Sequence, residues 1–206
     1  MPVNDEYIEW RPHPWHGLDP GPDAPQIVTA FIEMTPYDVV KYETDKKTGY
    51  IRVDRPQRAS VHPPALYGFV PRTLCATRVG ALSETSEPGD DDPLDICVYS
   101  ERPIARANII VDVRVIGGIT MFDHGEVDDK IVAVIAKDHI WKDIRDISEL
   151  PAVLTERLVH YFSTYKWVPG EESQVTMGDP YGHEHAWKVI DAARADYDEA
   201  FGASET

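Results

Sequence analysis

Asn108–Phe122, NIIVDVRVIGGITMF, is the stretch on which the fold turns. Ile109, Val111, Val113 and Val115 recur at every second position, the period at which successive side chains of a strand leave on opposite faces. The segment therefore predicts one long strand. Gly117 and Gly118 then break the alternation, and two glycines inside an apolar strand mark a bulge or the corner of a barrel. Further strand-like runs flank it: LDICVYS (94–100) before it and, after the polar turn DHGEVDD (123–129), KIVAVIAK (130–137). Nearer the N-terminus, Ile27–Met34 reads as a strand, and VVKYE (39–43) and YIRVDR (50–55) flank the Gly-ending turn TDKKTG as a hairpin.

Pro63, Pro64, Tyr67, Gly68 and Pro71 mark irregular backbone in SVHPPALYGFVP, and LSETSEPGDDD is a loop by composition. Residues 1–26 hold six of the 17 prolines and predict an extended arm. Beyond residue 138 the period changes to 3.6. Pro151 suits a first helical position, and Leu154, Leu158, Tyr161, Phe162 and Tyr165 share one face, so 151–166 predicts a helix. A second helix is expected over 183–201 with Ala186, Ile190, Ala193 and Tyr197 inward. Strands first and helices last predict an α+β protein: a curved or closed antiparallel β-barrel, OB-like, with helices packed outside it and the two C-terminal. One domain spanning 1–206 is expected.

The 206 residues are 42% apolar, enough for one sizeable core. Lys and Arg total 20 against 36 Asp and Glu, and a net charge of -16 makes nonspecific binding to nucleic acid or to an anionic membrane unfavourable without added cations, which nearly rules out a basic-patch binder. The longest apolar run, Ile131–Ala136, is far below the roughly 18 residues a spanning helix needs. The acidic start MPVNDEYIEW lacks the pattern of a secretory signal, so a cytoplasmic location is expected. Cys75 and Cys97 match no zinc or redox spacing and are expected as buried apolar residues.

GDDDPLDI (89–96) carries four carboxylates in six residues at the mouth of an apolar strand. Crowded like charges disfavour joint ionisation unless a cation offsets them, and an oxygen-rich set suits Mg²⁺, Mn²⁺ or Ca²⁺ over zinc. A plain solvated acidic loop is the other reading. An EF-hand fails, because Asp95 stands where that loop needs glycine. A second acidic turn holds Asp123, Glu126, Asp128 and Asp129, and both turns share one end if their flanking strands share a sheet. Lys41 and Glu43, two apart, leave one face of their strand. Arg55, Lys130, Tyr165 and Lys166 are further polar groups with surface roles as the ordinary alternative.

At GDDDPLDI the chain resembles the soluble, Mg²⁺-dependent inorganic pyrophosphatases of the single-domain β-barrel type, through Asp90, Asp91, Asp92, Pro93, Leu94 and Asp95. The resemblance runs from about Phe31 to Lys166 through FIEM, VKYE, VDR, YGF, DDKIVAV and HYFSTYK, and PWHG and RPQ resemble a longer branch found in chlamydia-like bacteria. It implies hydrolysis of pyrophosphate to two orthophosphates by a metal-activated water, with Asp90, Asp95, Asp123 and Asp128 as ligands of several Mg²⁺ ions, Mn²⁺ as a substitute, and Asp92 as general base. It further implies Lys41, Arg55, Tyr67, Lys130, Tyr165 and Lys166 as phosphate contacts, with Glu33 and Glu43 supporting. A homo-oligomer is implied, a hexamer by resemblance, with a dimer as the alternative. Pro63 stands where many relatives carry a tyrosine, beside His62, and the 81–89 loop is longer than in compact relatives.

Three rivals remain at this stage. An OB-like barrel would stack single-stranded nucleic acid on Trp10, Trp15, Tyr99 and Phe122. A Ca²⁺-stabilised structural module and a two-metal phosphoesterase are the others. His13, His16, His183 and His185 supply no complete ligand set and are expected in packing or surface roles.

Overall fold

A computed structural model describes residues 12–83, 87–168 and 170–202. The first eleven residues of the expected arm, with Trp10, and residues 84–86 of the 81–89 loop lie outside the described residues. The strands are β1 (Ile27–Met34), β2 (Val40–Thr44), β3 (Ile51–Pro56), β4 (Leu66–Phe69), β5 (Asp95–Tyr99), β6 (Ile109–Asp123), β7 (Glu126–Val127), β8 (Lys130–Ile135) and β9 (Val175–Gly182). The helices are α1 (Thr77–Gly80), α2 (Ala152–Thr164) and α3 (His183–Phe201), with a 3₁₀ turn at Ile147–Glu149.

Five strands close into a ring in the order β1-β4-β5-β8-β6, and β6 returns to β1 from Ile27↔Arg114 to Ile32↔Ile109. All of these pairings are antiparallel except β5 with β8, which run parallel from Asp95↔Lys130 to Tyr99↔Val134. The parallel pair is possible because β6 and its flanking turns serve as the long crossover between the two strands. Hairpin β2–β3 forms a separate two-stranded sheet.

The expected break in β6 is the corner of this ring. Its register against β8 shifts between Val115 and Gly117, and its opposite edge passes from β1 to β9. A Cβ at Gly117 would lie 2.4 Å from the Tyr181 carbonyl oxygen, and one at Gly118 would enter the Tyr181 ring, so only glycine lets β9 pair there. β9 itself is absent from the sequence reading, since Gly178, Asp179 and Pro180 interrupt its alternation, as an edge strand allows. SVHPPALYGFVP corrects the expectation of irregular backbone: Leu66–Phe69 is a strand between β1 and β5. Gly68 explains the miss, for its Cβ would lie 1.8 Å from the Phe31 carbonyl oxygen, and the residue that reads as a turn signal is what permits the pairing.

Alternation divides the ring's two faces. Ile96 and Val98 of β5 and Ile131 and Ala133 of β8 pack with Ala186, Val189, Ile190 and Ala193 of α3. Cys97, Tyr99, Val132 and Val134 pack with Leu158, Tyr161 and Phe162 of α2. Helix α2 has no side-chain cap at Pro151. Burying its three large side chains at roughly 1.5–3 kcal/mol each outweighs a missing cap worth about 1 kcal/mol. Both cysteines are buried and free. The described part of the arm is folded down: Trp15 is buried against Tyr197 and Phe201, and its Nε1 donates to the Thr73 carbonyl at 2.8 Å. Among the described residues no helix is long and apolar enough to cross a membrane.

Asp146 joins the 3₁₀ turn to α3. Its Oδ1 accepts from the Ser148 N–H at 3.0 Å, and its Oδ2 accepts from the His183 N–H at 3.0 Å and lies 2.7 Å from His183 Nδ1. Burial alone would raise this carboxyl, but the bonds from Ser148 and His183 hold it below the ordinary carboxylate range. Asp146→Ala should cost about 0.5–2 kcal/mol near neutral pH, as a lost cap does. A depressed folded pKa stabilises above the unfolded value of about 3.9 and loses that contribution as pH falls through the folded value. Wild type and variant should therefore converge in strong acid. Urea titrations from pH 7 downward check this, and a gap that does not narrow with acid contradicts it.

Candidate active site

Period two places the charged residues. Asp95 shares its side of β5 with Cys97 and Tyr99, and Lys130 shares its side of β8 with Val132 and Val134, so both stand at the head of the stripe that faces α2. Parallel pairing sets these two side by side, with Lys130 Nζ 2.5 Å from Asp95 Oδ2. The same ammonium pairs with Asp128, at the end of the turn before β8. Lys130 is 1% exposed. Burial alone would lower its pKa, but Asp128 and Asp95 raise it well above the ordinary value, so the amine stays charged. Tyr67 of β4 donates to the same Asp95 oxygen at 2.5 Å, and burial followed by that carboxylate raises its phenol far above the usual range.

The two acidic turns meet, as expected from strands of one sheet. A cavity of about 590 Å³ is lined by Asp90, Asp92 and Asp95 from one and by Asp123, Glu126 and Asp128 from the other. Glu33, Lys41, Glu43, Tyr67, Tyr165 and Lys166 line it too. Lys130 lies beneath its wall, while Arg55 lines an adjoining cleft that shares Tyr165 and Lys166. Asp129 is buried elsewhere and accepts the Tyr181 hydroxyl at 3.0 Å. Pro63 and His62 line a different cavity with Val153, Glu156, His160 and Tyr161, so neither occupies the acidic one.

Hairpin β2–β3 overhangs the acids. Lys41 Nζ lies 3.8 Å from Glu43 Oε2, which bears out their common face, and 3.3 Å from Asp54 Oδ2. Asp54 also pairs with Arg55. The sequence reading missed Lys46, because TDKKTG reads only as a turn, and Asp54, because YIRVDR reads only as a strand of the hairpin. Lys46 reaches across to pair with Asp92, and Lys166 from the end of α2 pairs with Asp123. Glu33 at the end of β1 accepts the Thr44 N–H, tying ring to hairpin, and burial lifts its carboxyl to about 7 against that bond.

Nine carboxyl groups line the cavity against five cationic side chains, so the site is short of positive charge. Burial, then the neighbouring Asp128, pushes Asp90 up to about 8, and burial raises Asp128 as well. Asp123 Oδ1 is buried without a hydrogen-bond partner. Among the described residues no three His, Cys, Asp or Glu side chains are already gathered as a metal cage. Lysines instead occupy Asp92, Asp95, Asp123 and Asp128. Raised acids, an orphaned oxygen and hard oxygen donors nonetheless fit divalent cations, which would offset the charge the lysines leave.

Other sequence candidates are drawn elsewhere. Trp15 and Tyr99 are buried and Phe122 is partly buried, so they form no stacking platform for nucleic acid, and Trp10 is outside the described residues. His16 Nδ1 lies 2.7 Å from the Tyr197 hydroxyl, and the His13 ring lies beside that of His16. The His183 ring packs on Trp187 and that of His185 on Tyr181.

A closed ring of strands with outer helices, and at one mouth a cavity of carboxylates edged by lysines and tyrosines, defines an OB-like α+β protein with an acidic polar site. The family profile described as inorganic pyrophosphatase matches residues 30–198, further than the resemblance seen from the motifs, and so takes in β9 and most of α3. An inorganic pyrophosphatase of Chlamydia caviae is 42% identical over 204 residues, 94% of each chain. A soluble inorganic pyrophosphatase of Arabidopsis thaliana is 41% identical over 178 residues, 86% of this chain and 76% of that one. The crystal structure of the Thermus thermophilus inorganic pyrophosphatase superposes with a TM-score of 0.77 at 30% identity, covering 90% of this chain and 99% of that one. The chain belongs to the inorganic pyrophosphatase family.

Lys130 is the electrostatic keystone. Lys130→Met should cost about 3–5 kcal/mol, since it leaves Asp95 and Asp128 facing each other without their buried cation. Added divalent cation should raise the melting temperature of the variant more than that of the wild type. Melting within a degree or two of wild type without cation would show that the pair is not under this strain.

Proposed function

We propose that the protein hydrolyses inorganic pyrophosphate to two orthophosphates at this cavity, as one catalytic domain. The supporting observation is the meeting of two acidic turns, a lysine-bearing hairpin and the end of α2 around one space of about 590 Å³. Asp90, Asp95, Asp123 and Asp128 would hold divalent cations, Mg²⁺ or in its place Mn²⁺, with Glu33 and Glu43 completing the polar surround. Bound there, such ions neutralise phosphate charge and lower the pKa of a coordinated water toward about 7.

Asp92 is the proton acceptor in this reading. It is the half-exposed carboxylate of its turn, its side chain 47% exposed, whereas burial raises the carboxyls of Asp90 and Asp128 above the ordinary carboxylate range. Water attacks one phosphorus, its proton passes to Asp92, and the P–O bond to the bridging oxygen breaks. Both products are orthophosphate, and no covalent enzyme intermediate is needed. Lys41, Arg55 and Lys166 bind phosphate oxygens, with Lys46 added to the set, while Lys130 contributes charge from beneath. Tyr67 and Tyr165 keep their protons at all ordinary pH, because burial and the acidic neighbours raise both phenols, so Tyr165 donates to phosphate, and Tyr67 does so in exchange for its bond to Asp95. Arg55 opens on the adjoining cleft, the side on which a departing phosphate is stabilised. A homo-oligomer, hexameric or dimeric, remains part of this reading.

Orthophosphate release from pyrophosphate with and without Mg²⁺, with ATP and a phosphomonoester as controls, tests the activity. Asp92→Asn should lower turnover by about 10²–10⁴ while leaving cation affinity nearly intact. Equal losses in both would make Asp92 a ligand. Lys41→Ala and Arg55→Ala should mainly weaken substrate capture or product-side stabilisation, and unchanged kinetics in both would remove them from the site.

A further inference from the structure

Helix α3 lies outside the ring, yet one of its carboxylates is held in the core. Asp196 is 4% exposed. Its Oδ2 accepts the N–H groups of Ala76 at 3.2 Å, Arg78 at 3.0 Å and Val79 at 3.3 Å, and its Oδ1 accepts Arg78 Nη1 at 2.8 Å. Helix α1 has no side-chain cap of its own, so a residue more than a hundred positions away satisfies its first N–H groups.

The segment before α1 is a strap with two edges. Even positions bond to α3: the Leu74 N–H donates to the Ala193 carbonyl at 2.9 Å, and Ala76 and Arg78 donate to Asp196. Odd positions bond to the acidic turn. Cys75 donates to the Asp92 carbonyl at 2.8 Å and accepts from the Asp91 N–H at 2.9 Å, while Thr73 Oγ1 accepts from the Leu94 N–H at 2.9 Å. Gly89 lies so close that a Cβ there would stand 2.3 Å from the Cys75 carbonyl oxygen. Asp91 is held at a φ of 58°, a conformation that the two bonds to Cys75 bracket.

We infer that Asp196 is a positioning residue: through the 73–79 strap it sets the backbone of the turn that carries Asp90 and Asp92. Among the described residues, none of these strap hydrogen bonds goes to Lys41, Arg55, Tyr67, Tyr165 or Lys166, the phosphate-binding side chains on β2, β3, β4 and just past α2. Loosening it therefore displaces Asp92, with Asp90, relative to the phosphate-binding side chains, so turnover falls by more than substrate capture does. The inference rests on the reading of Asp92 given above.

Asp196→Asn keeps the volume but turns one acceptor into a donor facing N–H groups. It should lower kcat about ten- to a hundredfold, the cost of a displacement near 1 Å, with KM within about threefold of wild type. By hydrogen exchange the Cys75 and Asp91 amides should open about tenfold faster, with those of β6 unchanged. Val134→Ala, buried near the far end of β8 in the cluster with α2, which holds no strap residue, is the stability control: it should lower the melting temperature without changing kcat, KM or exchange at Asp91. An Asp196→Asn protein with wild-type kcat and wild-type Asp91 exchange overturns the inference, and so does one whose KM rises as much as its kcat falls. In the wild type, Leu74, Ala76, Cys75 and Asp91 should exchange as one unit, and Asp91 opening far faster than Leu74 overturns it without any variant. A wild type that releases no orthophosphate from pyrophosphate defeats the site reading instead, and the exchange measurement still decides whether the strap exists.

Discussion

Mutual repulsion among carboxylates at one mouth of the ring is the constraint around which the remaining structure is arranged. Backbone pairing, which is indifferent to side-chain charge, forces the heads of β5 and β8 together and so sets Asp95 beside Lys130. The hydrogen bonds of the ladder and the apolar stripes beyond it supply the free energy that holds the acids at this separation. Lys130, buried with Asp95 and Asp128, keeps the arrangement from coming apart. What it does not neutralise appears as raised acids at Asp90 and Asp128. In the proposed reading, that residue of negative charge is offset by cations, and phosphate binds only with them.

Three kinds of element share the work. The ring gives rigid origins to Asp95, Asp123, Lys130 and Tyr67. Hairpin β2–β3, a separate sheet, brings Lys41, Glu43 and Lys46 over the acids and is tethered to the ring through Thr44 and Glu33. Tyr165 and Lys166 stand in the turn just past α2, which stops two residues short of its expected end. The acidic turn of Asp90 and Asp92 is the one part with no ladder of its own, and the 73–79 strap, backed by α3, supplies the missing partner. Groups on separate elements can be tuned separately, which suits a reaction needing proton acceptance, charge neutralisation and leaving-group stabilisation at once.

Where hydrophobic period agreed with final burial, the sequence was legible to within a residue. β1 and α3 have the bounds their patterns predict, and β6 differs by one residue at each end. β4 and β9 were not legible, because each pairs through glycine and proline positions whose meaning depends on the strand opposite. In the site, GDDDPLDI announced its chemistry through charge density alone. Lys46 and Asp54 sat in ordinary hairpin sequence, and Asp196 in an ordinary amphipathic helix, where an acidic residue normally reads as solvent-facing.

Local rules act over a few residues, so the sequence by itself determined the strand and helix periods, the corner at Gly117–Gly118, the net acidity and the dense carboxylates of residues 90–95. Tertiary structure alone decided that β5 and β8 lie parallel, that Asp123 and Asp128 face the same space as Asp90 and Asp95, and that α3 braces a turn a hundred residues upstream. The reason is that ring closure chooses among pairings of distant segments by burial and backbone hydrogen bonding summed over the whole molecule, and no short window of sequence contains that sum.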